Sequence, residues 1–447
     1  MIDSVETANA VLREGAPALF AALSPLGRRA LFPRDIPFQA AEARGKRFNG
    51  TIGQITDGRG GAVPLPSLAA GLAALPDDAR NRALLYSPVE GLPELRRRWR
   101  EWQRRELPGD GEGAAGAAAA LSTLPVVTAG LTHALSLAAD LFGGEGRVLA
   151  VPGPYWGNYR QAFALRTGVR VVSEPAFDGA RYDPEALSRS LAGAGLGAGE
   201  PALALVNAPS NPGGYSPSSE ERRALAASLA RAAEERPLVV LCDDAYAGLV
   251  FEDGVPARSL FWDLQGRHPN LVPVKIDGVT KELAFFGGRV GFLTFALATG
   301  SPAEAALESK VKCLVRAGIG SPVATSQVLA LQALESGRAA EEVEAVRRLL
   351  AGRYRVLREA LGACDADLLR PLPFNSGCFA LVALGPRARA AGLTAHRVRR
   401  HLLEAEDTGL VAVGEEHLRI AHCSVAEEDL PELVRRLERG MATLVSG

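Results

Sequence analysis

Ala202-Leu-Ala-Leu-Val-Asn207 and Pro237-Leu-Val-Val-Leu-Cys-Asp243 bracket a helix-like stretch, Ser219–Glu235. Two short apolar runs joined by a helix predict neighbouring parallel strands buried on both faces. The pattern continues in both directions. Upstream, Pro125-Val-Val-Thr-Ala-Gly130 leads into a helical stretch, Leu131–Phe142, and Arg147-Val-Leu-Ala-Val-Pro152 and Val169-Arg-Val-Val-Ser173 are further strand candidates. Downstream come Leu271-Val-Pro-Val-Lys-Ile276 and Arg289-Val-Gly-Phe-Leu-Thr-Phe295. Apolar strands alternating with helices define an α/β class with a mostly parallel sheet between helical layers. From about Glu341 the pattern changes. A charged amphipathic helix, Glu341–Leu361, precedes short strands around Cys378–Ala383 and Leu418–His422, which predicts a smaller α+β domain.

Composition narrows the function classes. The 447 residues are 47% hydrophobic and 23% charged, ordinary values for a globular chain. Fifty Lys+Arg against 51 Asp+Glu leave a formal charge of −1, so no nucleic-acid-binding surface is written into the bulk composition. Glu94–Arg105, charge-rich with Trp99 and Trp102, reads as a solvated amphipathic face. Gly113–Ala139 carries no Asp, Glu, Lys or Arg, but its Ser, Thr, Pro and His residues indicate a loop, a strand and a buried helix, not a membrane span. No secretory signal opens the chain. The five cysteines are scattered without a CxxC pair, so neither zinc nor a disulfide framework is expected, and a reducing cytoplasm fits. The histidines lack metal-ligand spacing. Two Gly/Ala-rich runs, 109–120 and 193–199, read as loop insertions.

The chemistry centres on Lys281, in Asp277-Gly-Val-Thr-Lys-Glu282, with Arg289 eight residues on in Gly-Gly-Arg-Val-Gly291. A partly desolvated lysine between two apolar strands has a lowered pKa and can form a Schiff base. The strand before it ends Leu241-Cys-Asp243-Asp-Ala-Tyr246, at the edge where open α/β sheets bind ligands. Asp243 there pairs with a protonated ring nitrogen, or caps the next helix. Asn211, in Asn207-Ala-Pro-Ser-Asn-Pro-Gly-Gly214, reaches the same edge or simply makes a turn. Thr128-Ala-Gly-Leu-Thr-His133 joins a strand to a helix, where free amides suit a phosphate and an ordinary N-cap serves equally. Trp156, in Pro154-Tyr-Trp-Gly-Asn-Tyr159, stacks on a heteroaromatic ring or belongs to the core.

In this order and spacing the motifs resemble the fold type I, pyridoxal-phosphate-dependent class I/II aminotransferases, from about Asn49 to about Ser424. The resemblance implies a seven-stranded large domain over 71–325 and a small domain built from both chain ends, with 1–70 as arm and first part and 326–447 as the rest. It implies that Lys281 holds pyridoxal 5'-phosphate as an aldimine and shuttles the substrate proton. Asp243 would keep the pyridine nitrogen protonated, Tyr246 and Asn211 would bond the phenolic oxygen, and Trp156 would stack on the ring. Arg289, Thr132 and the backbone of Gly130 and Leu131 would hold the phosphate. Tyr86, in Tyr-Ser-Pro-Val-Glu-Gly-Leu92, matches the tyrosine that reaches the phosphate of the neighbouring subunit, which implies a homodimer with shared active sites. Arg419, in Leu-Arg-Ile-Ala421, matches the arginine that clamps the substrate α-carboxylate, and Gly53 a glycine passing close to the substrate.

The chain departs from the family pattern at Gly278, where many members carry a serine whose hydroxyl helps hold the phosphate; Thr280 is the nearest substitute. Arg316 resembles the arginine that binds a distal carboxylate, or is a helix-end surface arginine. The expected activity is amino-group transfer between an amino acid and a 2-oxo acid. The alternative keeps the cofactor but runs β/γ-elimination, replacement or carbon–carbon bond formation in secondary metabolism, for example on S-adenosylmethionine, which enzymes resembling 1-aminocyclopropane-1-carboxylate synthase use with the same cofactor residues. A regulator with an aminotransferase-like domain is disfavoured, since Met1–Asn49 is short for a DNA-binding domain and not notably basic.

Overall fold

The computed structural model describes residues 4–31, 35–107, 118 and 120–446. Most of the first Gly/Ala-rich run, 109–117, lies outside the described residues. The second run is a turn-rich loop whose carbonyls at Ala194 and Gly197 accept from Arg170 and Arg236.

Seven strands form the large sheet: β1 (Val126–Thr128), β2 (Val148–Ala150), β3 (Arg170–Val172), β4 (Ala202–Asn207), β5 (Leu238–Asp243), β6 (Leu271–Gly278) and β7 (Gly291–Phe295). Their spatial order is β1-β7-β6-β5-β4-β2-β3. β2 to β6 run parallel, and β7 lies antiparallel between β1 and β6. β5 is buried at every position, as a central strand covered on both faces must be. One face packs Trp99, Leu135, Phe163 and Phe292; the other packs Leu225, Leu229, Phe261 and Trp262. The helix Ser219–Glu235 that covers the second face starts on a capping box, Ser218 with Glu221.

The helix Pro93–Arg104 is more than a solvated face. It buries Leu95, Arg96, Trp99 and Gln103. Trp99 stacks on Phe292 at 4.3 Å, and its apolar stripe closes the sheet beneath β6 and β7. Charge content alone hid this, because the buried stripe is only one side of a strongly amphipathic helix.

A second, antiparallel sheet has the order β8-β9-β11-β10, with β8 (Leu369–Pro371), β9 (Phe379–Leu384), β10 (Val411–Val413) and β11 (His417–Ala421). Helices Ala339–Gly362, Ala395–Ala405 and Leu430–Ser446 supply Leu357, Val398, Leu402, Leu433 and Leu437 to its core. The N-terminal segment joins this unit: Phe48–Asn49 pairs in parallel with Thr408–Gly409, and Phe48 is buried in the same core. Further on, Ile55, Leu65 and Leu68 pack into the core of the large sheet, as do Val346 and Leu350 of the long helix. The chain thus crosses between the two sheets at both ends. Among the described residues no helix is long and apolar enough to cross a membrane.

Candidate active site

β6 ends at Gly278, and a single helical turn, Val279–Glu282, carries Lys281 into a cleft of about 630 Å³ at the carboxyl ends of β4, β5 and β6. Leu131, Thr132, Trp156, Asn211, Asp243, Tyr246, Thr280 and Arg289 line the same cleft. Residues spread over more than a third of the chain therefore meet at one sheet edge, which is where parallel strands point their following loops.

The half-buried Lys281 amine lies 5.0 Å from the centre of the Tyr246 ring. Burial lowers its pKa below the ordinary lysine value, and Asp243 opposes that shift. A lysine so placed is a better nucleophile at neutral pH than a solvated one. Asp243 is only 2% exposed. Burial raises its pKa, against a hydrogen bond from Tyr159 and the nearby Lys281 charge. Tyr159 Oη donates to Asp243 Oδ2 at 2.7 Å, and the Ala245 N–H donates to Oδ1 at 3.2 Å. Asn207 Nδ2 donates to the Asp243 carbonyl at 2.8 Å and so ties the ends of β4 and β5 together.

At the opposite end of the cleft the helix Leu131–Phe142 begins, with Gly130 as its N-cap at φ +82°. Its first amides have no intrahelical acceptor and face the cleft with the positive end of the helix. A Cβ on Gly130 would stand 2.6 Å from Arg289 Nη2, so glycine lets the guanidinium lie against the loop. Arg289 itself sits in the left-handed region at φ 52°, ψ 49°, an unusual backbone for a non-glycine residue. Thr280 Oγ1 is buried with no hydrogen-bond partner. A buried hydroxyl, a helix N-terminus and an arginine converging on one spot fit a phosphate group.

The departure at Gly278 has a steric reason. A Cβ there would lie 2.6 Å from the Val290 carbonyl oxygen and 2.8 Å from Gly291 Cα. β7 runs so close that a serine cannot be accommodated without moving backbone. Two residues later, Thr280 places a buried, unpartnered hydroxyl in the same cleft.

Arg419 flanks the cleft. It is 1% exposed; Nη1 donates to Asn211 Oδ1 at 2.9 Å and Nη2 to the Thr51 carbonyl at 2.6 Å, while Nε has no partner. Its guanidinium lies 4.4 Å from the centre of the Phe379 ring, which also meets Tyr246 edge-on. Gly53 presses on the same ring: a Cβ there would be 2.5 Å from it. Tyr86 and Arg316 are not in this cleft. They line a separate surface groove of about 1,390 Å³, with Tyr86 98% exposed beside Leu84, Leu85, Ile319 and Val323.

Sequence reading missed three residues. Tyr159 carried a signal, since it lies three positions after Trp156 and both rings meet edge-on at 5.5 Å. Phe379 carried none. Lys275 was passed over as a strand residue, yet it is fully buried and lies 2.7 Å from Asp244, 3.0 Å from Glu106 and 3.6 Å from Asp277. Trp99 and Gln103 donate to Asp277, and Trp102 to Glu282. This buried charge cluster lies next in sequence to both Asp243 and Lys281. Cys378 and Cys423 also come together beside Tyr246, as free thiols. Among the described residues no group of His, Cys, Asp and Glu is placed to hold a metal.

A family model described as aminotransferase class I and II matches residues 53–437. The aspartate/prephenate aminotransferase of Thermus thermophilus is 28% identical over 384 residues, covering 81% of this chain and 86% of that protein. An aminotransferase structure from Anaerococcus prevotii superposes with a TM-score of 0.79 at 21% identity, covering 94% of this chain and 98% of that one. The α-aminoadipate aminotransferase of Thermus thermophilus, solved with N-(5'-phosphopyridoxyl)-L-leucine, superposes with a TM-score of 0.67 at 26% identity, covering 88% and 93%.

Proposed function

The chain belongs to the class I and II aminotransferases, a family of pyridoxal-phosphate-dependent transferases, and on that premise we propose that it moves an amino group between an amino acid and a 2-oxo acid, with Lys281 as covalent anchor and proton carrier. The observation that carries this reading is the convergence in one cleft of a desolvated lysine, a buried aspartate, and a helix N-terminus, an arginine and an unpartnered hydroxyl suited to a phosphate. When bound, pyridoxal phosphate supplies an electron sink for negative charge at the substrate α-carbon.

The chain's own residues do the rest. Asp243 would present its buried carboxylate to the ring nitrogen and favour the protonated ring. Tyr246 Oη and the Asn211 amide nitrogen donate to the ring's phenolic oxygen, which leaves the Asn211 carbonyl oxygen free for its observed bond with Arg419. Trp156, which lines the cleft, would stack on the ring. The amides of Leu131 and Thr132, the Thr132 and Thr280 hydroxyls and the Arg289 guanidinium hold the phosphate. Arg419 binds the substrate α-carboxylate, with Gly53 allowing the N-terminal segment to close over it. Lys281 Nζ, whose pKa burial lowers, would take the α-proton and return it.

The exposed groove with Tyr86 and Arg316 supports a homodimer in which each subunit completes the other's cleft. Its cluster of exposed leucine, isoleucine and valine side chains is the kind of surface a partner covers. Two of the relatives are named for aspartate and α-aminoadipate, both with acidic side chains. Arg316 brought into the partner's cleft would suit such a substrate. Residues 71–325 serve as the cofactor-binding domain, with 1–70 and 326–447 closing over it.

The test is a single turnover. Protein loaded with pyridoxal phosphate is given a panel of amino acids without a 2-oxo acid acceptor. Transamination yields one 2-oxo acid per subunit and no free ammonia. Ammonia release, or no oxo acid with any amino acid, would favour the elimination and replacement chemistry instead.

A further inference from the structure

The cleft contains a buried phenol that none of the roles above uses. Tyr159 is 1% exposed, and its hydroxyl does one thing: it donates to Asp243 Oδ2 at 2.7 Å. The ring cannot swing away. It is wedged edge-on against Trp156 at 5.5 Å and 82°, and its own N–H is tied to the Trp156 carbonyl at 3.1 Å. The segment Arg160–Leu165 that follows is wound as a π-helix, which sets the register between Trp156 and the buried Phe163.

A carboxylate 2% exposed is costly to keep ionised. Three features oppose that cost at Asp243, and the Tyr159 hydrogen bond is the largest, ahead of the Lys281 charge and the Ala245 N–H. The phenol is suited to the task, because burial and the adjoining carboxylate hold its own pKa well above the ordinary tyrosine value. It therefore remains a donor across the neutral range. The bond also fixes the carboxylate plane: with Oδ2 held by Tyr159 and Oδ1 by Ala245, the group has one orientation.

We propose that Tyr159 is the positioning residue for Asp243, orienting its carboxylate and keeping it an anion so that a shared proton resides on the heteroaromatic nitrogen and not on the aspartate. This rests on the reading that Asp243 faces the pyridine nitrogen. Without the phenol, Asp243 becomes the better base of the pair, and the proton moves from nitrogen towards oxygen. A hydrogen bond to a charged group is worth enough that its loss weakens cofactor binding about tenfold or more.

The experiment uses holoenzyme loaded with pyridoxal phosphate labelled with 15N in the ring, compared between wild type, Tyr159→Phe and Asp243→Asn. Wild type is expected to show a protonated ring nitrogen from pH 6 to 9. Tyr159→Phe is expected to show a shift towards the unprotonated position that varies across that range, with cofactor dissociation about tenfold easier and kcat reduced more than KM rises. Asp243→Asn is expected to lose the protonated signal altogether. A role confined to packing would lower the melting temperature without moving the nitrogen resonance. If Tyr159→Phe matches wild type in resonance and affinity while Asp243→Asn does not, the inference is overturned and the reading of Asp243 stands. If Asp243→Asn also matches wild type, the reading of Asp243 falls and the inference with it. Should the phenylalanine variant not hold its fold, Tyr159→Met, which also removes the donor, decides: a resonance shifted towards the unprotonated position supports the proposal, and a wild-type resonance refutes it.

Discussion

Two lysines stand six residues apart on one strand and the turn that follows it, and their surroundings are opposite. Lys275 is fully buried against Asp244, Glu106 and Asp277, and those carboxylates raise its pKa well above the ordinary value. Burial lowers the pKa of Lys281, and the Asp243 charge only partly opposes that shift. The first is a permanent cation that joins strands to a helix. The second is an amine whose charge is disfavoured by its surroundings, which on the proposed reading keeps it reactive. Burial alone does not set the pKa of a lysine; the balance of burial and compensating charge does.

The sharpest way to break this contrast is to remove each amine in turn. Lys281→Ala is expected to lower amino-transfer turnover by at least about a thousandfold, while the stability of the apoprotein stays within about 1 kcal/mol of wild type. Steady-state assays and denaturant unfolding report the two halves. Lys275→Met is expected to do the reverse. It leaves buried carboxylates without their cation and costs about 3–5 kcal/mol in unfolding free energy. Any folded fraction should keep an amine at 281 that still binds the cofactor. Equal losses of stability in both variants would erase the distinction.

The charge cluster also sets a pH dependence. Burial pushes Asp244 up to about 7 and Glu282 up to about 8. Both values lie above those of the unfolded chain, so the folded protein binds the extra protons. Their contribution to stability is complete at acid pH and is lost as pH rises from about 4 through 8. Melting temperature is expected to fall across that window. Glu282→Gln, which keeps an acceptor for Trp102 but cannot ionise, should flatten the upper part of the fall. A profile that rises from pH 5 to 8 would contradict the assignment.

The smallest effect concerns the phosphate cradle. Thr280→Val keeps the shape and removes the unpartnered hydroxyl. It is expected to weaken pyridoxal phosphate binding about tenfold and to be neutral for apoprotein folding. An unchanged dissociation constant would mean that Thr280 does not substitute for the serine absent at Gly278.

The large sheet was legible because its strands are short, apolar on both faces and separated by helices with clear caps, such as Ser218 with Glu221. Lys281, Asp243, Asn211 and Arg289 were legible because each sits at a strand end in a local motif. What could not be read came from pairings across the chain. Lys275 and Glu106 meet only because the helix Pro93–Arg104 is laid under β6 and β7, and nothing near either residue announces the other. The steric exclusion of serine at 278 depends on the Val290 carbonyl across the β6–β7 pair. The buried side of Glu94–Arg105 was masked by arginines on its solvated side.

The chain has five lysines, at positions 46, 275, 281, 310 and 312. Borohydride reduction of the loaded protein, followed by peptide mass mapping, fixes a pyridoxyl group on whichever amine carries the cofactor. The account predicts one pyridoxyl group per subunit, on the peptide containing Lys281 and absent from the peptide containing Lys275. Labelling of any other lysine, or none at all in protein that retains bound cofactor, would contradict it.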